Sequence, residues 1–174
     1  MSRRRYQVSG WLIGVCALAT ALLAASYQQP EVRIEAPDSP GPRVMEDQTR
    51  TAVIRDYLQA WQTMSAAFRQ NQPDLLAADF VGVAQEKLAS TIQQQAKLGI
   101  RTLYQDRNHD IRLAFYSPEG LSIQLIDTVD YDLQLQDHDK VLGTQHVRSR
   151  YVAVLSPTEV RWKVRVLQVA PVVP

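Results

Sequence analysis

The chain has 174 residues, of which 45% are apolar and 21% are charged, and its formal net charge at pH 7 is +1. This length allows one globular domain with its own core plus an appendage. The near-neutral charge excludes the basic composition typical of nucleic-acid-binding proteins, so no nucleic-acid partner is expected. The single cysteine, Cys16, excludes an intrachain disulfide and a cysteine-based zinc site.

Residues 1–27 have the pattern of a membrane-targeting segment. Three arginines at positions 3–5 precede an uncharged stretch whose apolar centre spans residues 11–25. A basic flank before an apolar helix keeps the N-terminus in the cytoplasm and places the rest across the membrane. Two interpretations stay open. An uncleaved signal anchor gives a single-pass membrane protein with an extracytoplasmic, periplasmic domain. A signal peptide cleaved before Tyr27 gives a secreted or periplasmic protein.

A proline-rich linker is predicted at residues 28–45, where Pro30, Pro37, Pro40 and Pro42 follow one another closely. Proline at this density disfavours both helix and sheet, so the segment is expected to be an extended spacer. The folded domain is then predicted at residues 46–170.

Three helices are predicted at the start of this domain. The first runs from about Asp47 to Gln70, because apolar residues recur at three- and four-residue spacing along one stripe: Ile54, Tyr57, Leu58, Trp61, Met64 and Phe68. A short second helix is expected at about residues 73–80, after a proline. The third is expected at about residues 81–98, with Gly99 as its stop.

From Ile100 onward the apolar period changes to that of a strand. Residues 121–136 are the clearest case, with alternate residues on one apolar face: Leu121, Ile123, Leu125, Asp127, Val129, Tyr131, Leu133 and Leu135. With strands near residues 111–116, 144–155 and 160–169, this predicts about four antiparallel strands in consecutive order. The predicted fold is α+β, with three N-terminal helices packed on a curved, cone-like sheet, preceded by the N-terminal transmembrane or signal helix.

The turns between these strands predict their registers. Matching apolar faces across residues 117–120 places Leu113 opposite Leu125 and Phe115 opposite Ile123. A shift of either strand by one residue would turn its apolar side chains toward water, so this pairing is expected.

Helices followed by long antiparallel strands that end in the alternating stretch EVRWKVRVLQV resemble the nuclear transport factor 2-like (NTF2-like) superfamily, over about residues 48–169. The superfamily includes ketosteroid isomerases and polyketide cyclases, whose bent sheet wraps the helices into a cone with a pocket at its wide end. The resemblance implies a bulge near Ile126 and Asp127 that bends the longest strand. The layout also resembles two non-catalytic relatives. One is the type IV secretion assembly factor. The other is the C-terminal domain of plastid and cyanobacterial division proteins and mitochondrial import proteins.

Asp127 is the catalytic candidate, because it is an acidic residue on the apolar face of the longest strand. Burial raises the pKa of a carboxyl group toward values useful for proton transfer. Tyr131 lies four residues further along the same face, and the isomerase relatives pair an acidic base with a tyrosine that stabilises an enolate. Two other interpretations stay open: a bulge that turns Asp127 to solvent and Ile126 inward, or a buried structural hydrogen bond. An open pocket is expected to be lined by Tyr57, Trp61, Asp127, Tyr131 and Trp162.

The three histidines, His109, His138 and His146, are predicted in polar segments that resemble solvated turns, such as residues 106–110. None of them has the spacing of paired metal ligands. Neither a metal site nor a cofactor is therefore predicted.

Five basic residues are predicted on the outer face of the last two strands: Arg148, Arg150, Arg161, Lys163 and Arg165. Matching Tyr151 with Val164 across the last turn would place Arg150 directly opposite Arg165, a repulsive pair. The face is interpreted either as solvated or as an interface for an acidic protein partner or anionic lipids.

The sequence thus predicts a membrane-tethered, extracytoplasmic binding or assembly module without catalysis, attached through its N-terminal helix. It would present the outer sheet face to a protein partner or to a second copy of itself. The alternative is a small-molecule-binding pocket, or an isomerase- or cyclase-like enzyme that uses Asp127 and Tyr131.

Overall fold

The computed structural model describes residues 29–35 and 43–170. The described elements are β1 (Glu31–Glu35), α1 (Asp47–Gln70), a 3-10 helix (Pro73–Ala78), α2 (Gly82–Lys97), β2 (Ile100–Tyr116), β3 (Ile123–Asp137), β4 (Lys140–Pro157) and β5 (Trp162–Val169). The predicted membrane segment, residues 1–27, lies outside the described residues. Within the described ranges, no helix is long and apolar enough to cross a bilayer.

The helical predictions are confirmed in position and nearly in length. The apolar stripe of α1 is buried against the sheet, with Tyr57 and Trp61 near its middle. The short second helix has 3-10 geometry, and α2 ends two residues before Gly99. Gly99 has a φ of 71°, a left-handed conformation that glycine adopts without steric cost, so it ends the helix as predicted.

The sheet has five strands in the order β1-β2-β3-β4-β5. Strands β2 to β5 are antiparallel and consecutive, as predicted. The extra strand corrects the linker prediction, because β1 pairs in parallel with β2 and sets Ile34 beside Ile111. Residues 31–35, EVRIE, contain no proline and alternate in polarity, so this short stretch can hydrogen-bond at a sheet edge.

The first predicted register is confirmed at Leu113 and Leu125 and wrong one step further on. A bulge between Leu113 and Phe115 sets Tyr116 opposite Ile123 and turns Phe115 to the outer face, where it is 41% exposed. The extra residue of a bulge reverses the alternation of the strand beyond it.

The second predicted register is wrong. Val164 pairs with Leu155, and Tyr151 pairs with Val169. The turn closes later than expected, because the Thr158 backbone N–H donates to the carbonyl of Arg161, at 2.9 Å. Strand β4 therefore continues to Pro157 before the chain reverses.

The core lies between the helices and the inner face of the sheet, as in a cone fold. Alternate residues of β3 from Ile123 to Tyr131 are buried there. Leu121, predicted on this face, precedes the strand and is 63% exposed. The register of β3 is regular at Ile126 and Asp127, so the predicted bulge there is wrong. Bulges elsewhere, such as that between Asp106 and Asn108, interrupt the ladder instead.

Candidate functional site

Asp127 lies at the centre of the candidate site and is 0% exposed. Its carboxylate Oδ2 accepts a hydrogen bond from the Tyr57 hydroxyl of α1 at 2.9 Å. The same oxygen lies 2.7 Å from Nδ1 of His109, on the neighbouring strand β2. The expectation that Asp127 turns to solvent is therefore wrong. The alternative of a buried structural hydrogen bond agrees with these contacts.

Sequence reasoning missed His109, which was assigned to a solvated turn. It lies inside β2 and is 1% exposed, with Nε2 3.9 Å from a carboxylate oxygen of Asp106. A signal was present in the sequence. Counting back by two from Leu113 and Ile111 reaches His109, which extends the apolar face of that strand by one residue.

The electrostatics of this buried cluster depend on desolvation and on the hydrogen bonds. Burial raises the pKa of Asp127, although the bonds to His109 and Tyr57 oppose this effect. Burial lowers the pKa of His109, but the hydrogen bond to Asp127 and the negative charges of Asp127 and Asp106 outweigh it and raise that pKa to about 9. Burial and the Asp127 charge raise the pKa of Tyr57. His109 thus lies between two carboxylates, which favour its protonated form.

Aromatic rings surround this cluster. Trp61 of α1 makes ring contacts with Tyr57, His109, Tyr131 and Tyr151 at centroid distances of 5.2–6.5 Å. The Tyr131 hydroxyl lies 3.1 Å from the Tyr151 hydroxyl. It is Tyr57, rather than Tyr131, that donates a hydrogen bond to the carboxylate.

Trp162 lies apart from the other predicted pocket residues. It pairs with Pro157, six positions along β4 from Tyr151, which is the residue opposite Asp127. Its backbone N–H donates to the carboxylate of Asp56 at 2.9 Å. The structure thus brings together four of the five predicted pocket residues.

A depression of about 480 Å³ lies elsewhere, between the 3-10 helix and the β4–β5 turn. It is lined by Ala78, Val81, Thr158, Glu159, Val160, Arg161 and Lys163. None of the five predicted pocket residues lines it. Within the described ranges, no group of three or more His, Cys, Asp or Glu side chains is placed to hold a metal ion.

The five predicted interface cations do not form one stripe. Arg161 donates to buried Asp79 at 2.7 Å, and Lys163 donates to the carbonyl of Ala77 at 2.7 Å. Both side chains thus hold β5 to the helical layer. Arg165 falls in a bulge of β5, so its predicted pairing with Arg150 is wrong.

Arg148 and Arg150 do lie on the outer face of the sheet, next to β3. Arg148 is 3.5 Å from Asp130, and Arg150 pairs across from Thr128. Asp132 on the same face contacts Arg107 and, at 3.0 Å, His146. This half of the outer face therefore carries charges of both signs.

The other half of the outer face carries an apolar cluster, with Arg112, Gln124 and Gln168 in the same rows. The register shows that the residues of this cluster face outward, because they alternate along the sheet with the buried Leu125, Ala153 and Leu155. We name it the outer apolar patch, and it consists of Phe115, Ile126, Val152, Val154 and Val166. Phe115 is exposed and the other four side chains are half-buried.

Comparisons with solved structures show the fold. The intermembrane space region of the chloroplast protein ARC6 matches with a TM-score of 0.58 and 15% identity, over 73% of this chain and 98% of that chain. A candidate scytalone dehydratase from Novosphingobium aromaticivorans DSM 12444 matches with a TM-score of 0.51 and 15% identity, over 72% and 89%. A candidate dehydratase of the NTF2-like family from Streptomyces avermitilis matches with a TM-score of 0.44 and 11% identity, over 71% and 99%.

These similarities support the expected cone fold, with helices on one side of an antiparallel sheet. At this level of identity they show the fold alone, and they include both an organelle protein and an enzyme-like protein. No protein family and no curated protein matches the sequence.

Proposed function

We propose that this domain is a binding or assembly module without catalysis, which presents the outer face of its sheet to a protein partner or to a second copy of itself. The observation that carries the proposal is the outer apolar patch. The helices occupy the inner face of the sheet, so this patch has no covering layer among the described elements. The predicted N-terminal segment would tether the domain to a membrane on its extracytoplasmic side.

The composition of the outer face supports this proposal. The solvated face of an antiparallel sheet is normally polar, whereas this one has Ile126, Val152, Val154 and Val166 as neighbours. The bulge in β2 adds Phe115, an aromatic side chain of the kind enriched at interfaces. Contiguous exposed apolar patches with a polar rim mark interaction sites.

The fold of the ARC6 region also agrees with the proposal. That protein is a chloroplast protein, and the matched region lies in an intermembrane space, which places the same architecture in a membrane-bounded compartment. The likeness concerns architecture only, so the partner of the present chain follows from its own surface.

The experiment places a carboxylate in the outer apolar patch. Val152→Glu should abolish assembly by the full chain, measured as sedimentation mass and as photo-crosslinking from position 128. Gln134→Glu adds the same charge to the same face within its polar half, and it should leave assembly unchanged. The proposal fails if the wild-type protein neither assembles nor crosslinks, or if the two variants behave alike.

A second candidate function is a small-molecule pocket or an isomerase- or cyclase-like enzyme that uses Asp127. The observation that favours it is Oδ1 of Asp127, a buried oxygen with no hydrogen-bond partner among the described residues. Such an oxygen could accept a hydrogen bond from a ligand, or it could take a proton from the ligand while His109 keeps its own ring proton. Tyr131 stays a candidate, although its hydroxyl contacts Tyr151.

This candidate is tested by equilibrium binding of small cyclic ketones and enones to the full chain. Asp127→Asn should abolish binding, and Asp130→Asn, which alters the opposite face of the same strand, should leave it unchanged. Binding that survives Asp127→Asn, or no binding to the wild-type protein, removes this candidate.

A further inference from the structure

We propose that the open edge of β4, residues 140–149, binds an extended acidic segment of a partner protein as an additional strand. Strand β5 pairs only with Tyr151 to Pro157, whereas β4 begins at Lys140. The first ten residues of β4 therefore lie beside β3 on one side and beside no described strand on the other. This surface differs from the outer apolar patch, so either proposal can fail alone.

The backbone groups at this edge can be assigned from one hydrogen bond. The backbone N–H of Ala170 donates to the carbonyl of Arg150 at 2.7 Å, so the peptide groups of Arg150 face the β5 side. In an antiparallel strand, every second residue faces the same side. Arg148, His146 and Thr144 therefore present their backbone N–H and C=O groups to the open edge, as a template for strand addition.

Other parts of the sheet margin are covered by the chain itself. Strand β1 covers β2 at Asn108–Arg112. At β5, the N–H of Val81 donates to the carbonyl of Val164, and the N–H of Val164 donates to the carbonyl of Asp79. The first part of β4 thus differs from these margins, because its hydrogen-bonding groups have no such cover among the described residues.

The charge of the edge determines which occupant fits. Residues 140–157 contain Lys140, Arg148 and Arg150 and no Asp or Glu. Arg148 is partly neutralised by Asp130, whereas Lys140 and Arg150 have no ion-pair partner among the described residues. Two copies of this edge would bring like charges together, which disfavours pairing with a second copy. An acidic strand would meet these charges with the opposite sign.

The test uses the full chain and a fluorescent ten-residue peptide of alternating valine and glutamate. Its anisotropy should report saturable binding that weakens with added salt, and a valine–lysine peptide should bind at least about tenfold more weakly. Hydrogen exchange should show new protection at the amides of Thr144, His146 and Arg148. Equal binding of both peptides, or protection confined to other residues, would overturn the proposal.

Matched variants separate the backbone contact from the side chain. Thr144→Pro removes one outward-facing N–H and leaves the bonds to β3 in place, so it should weaken peptide binding about tenfold. Thr144→Ala keeps that N–H and should bind like the wild-type protein. Arg150→Glu should also weaken binding while Arg150→Lys retains it, which provides a second readout if Thr144→Pro fails to fold.

Two further measurements show whether a partner or the chain's own C-terminal residues occupy the edge, and separate strand addition from binding at the outer apolar patch. Deletion of residues 171–174 should leave the exchange of the three edge amides unchanged. Faster exchange after this deletion would show that the chain's own end occupies the edge, which would overturn the proposal. Val152→Glu should leave peptide binding intact, so loss of assembly and loss of strand addition can be told apart.

Discussion

Two aspartates of one strand have opposite environments. Asp127 faces the inner side of β3, where it is fully buried between Tyr57 and His109. Asp130, three residues later, faces the outer side and lies 3.5 Å from the exposed Arg148. The alternation of the strand makes this difference, since residues an odd number apart point to opposite faces. The same residue type is thus a core component at one position and a surface charge at the other.

The largest contrast is expected when each aspartate is replaced by alanine. Asp127→Ala leaves a buried cationic histidine facing fewer carboxylate groups, so it should lower the free energy of unfolding by about 3–5 kcal/mol. Asp130→Ala breaks a solvated pair and should cost less than about 1 kcal/mol. Urea denaturation of both variants measures the difference, and equal losses would contradict the assigned burial of Asp127.

The pH dependence should be next in size. The pKa of His109 is raised from 6.5 to about 9, so its stabilising contribution is fully present below about pH 6.5 and is lost as the pH rises through about 9. The raised pKa of Asp127 also makes stability fall with rising pH, but this contribution begins at the ordinary carboxyl pKa of 3.8 and is separate from that of His109. The wild-type protein should lose about 2–3 kcal/mol of stability between pH 6.5 and 9.

The control for this titration is His109→Gln, which keeps a polar side chain and cannot titrate. Its unfolding free energy should be lower than that of the wild-type protein at pH 6 and should change much less up to pH 9. Chemical denaturation at each pH measures both curves. Parallel curves would mean that another group is responsible for the pH dependence.

The smallest expected contrast concerns two tyrosine hydroxyls. Tyr57→Phe removes a donor to a buried carboxylate and should cost about 1.5–3 kcal/mol. Tyr131→Phe removes one hydroxyl of a neutral pair with Tyr151 and should cost about 0.5–1.5 kcal/mol. Thermal unfolding of the two variants ranks them, and the reverse order would show that Tyr131 is the more important partner, as the sequence had suggested.

The sequence alone determined the local elements of this protein. The stripe of α1, the stop at Gly99 and the alternation of β3 depend on neighbours within a few positions, so their patterns can be read directly. That alternation also placed Asp127 on the apolar face. The same two-residue alternation predicted the fold class, an α+β domain with helices on one side of the sheet.

The tertiary structure decided which residues meet. His109 and Tyr57 lie 18 and 70 positions from Asp127, and no local pattern specifies such a pairing. The bulge at Phe115 and the late turn at Thr158 shifted two registers, because each depends on hydrogen bonds across the sheet and within the turn. The bulges at Phe115 and Arg165 added Phe115 and Val166 to the outer apolar patch and removed the predicted pairing of Arg150 with Arg165, since packing of the whole sheet determines which side chains face outward.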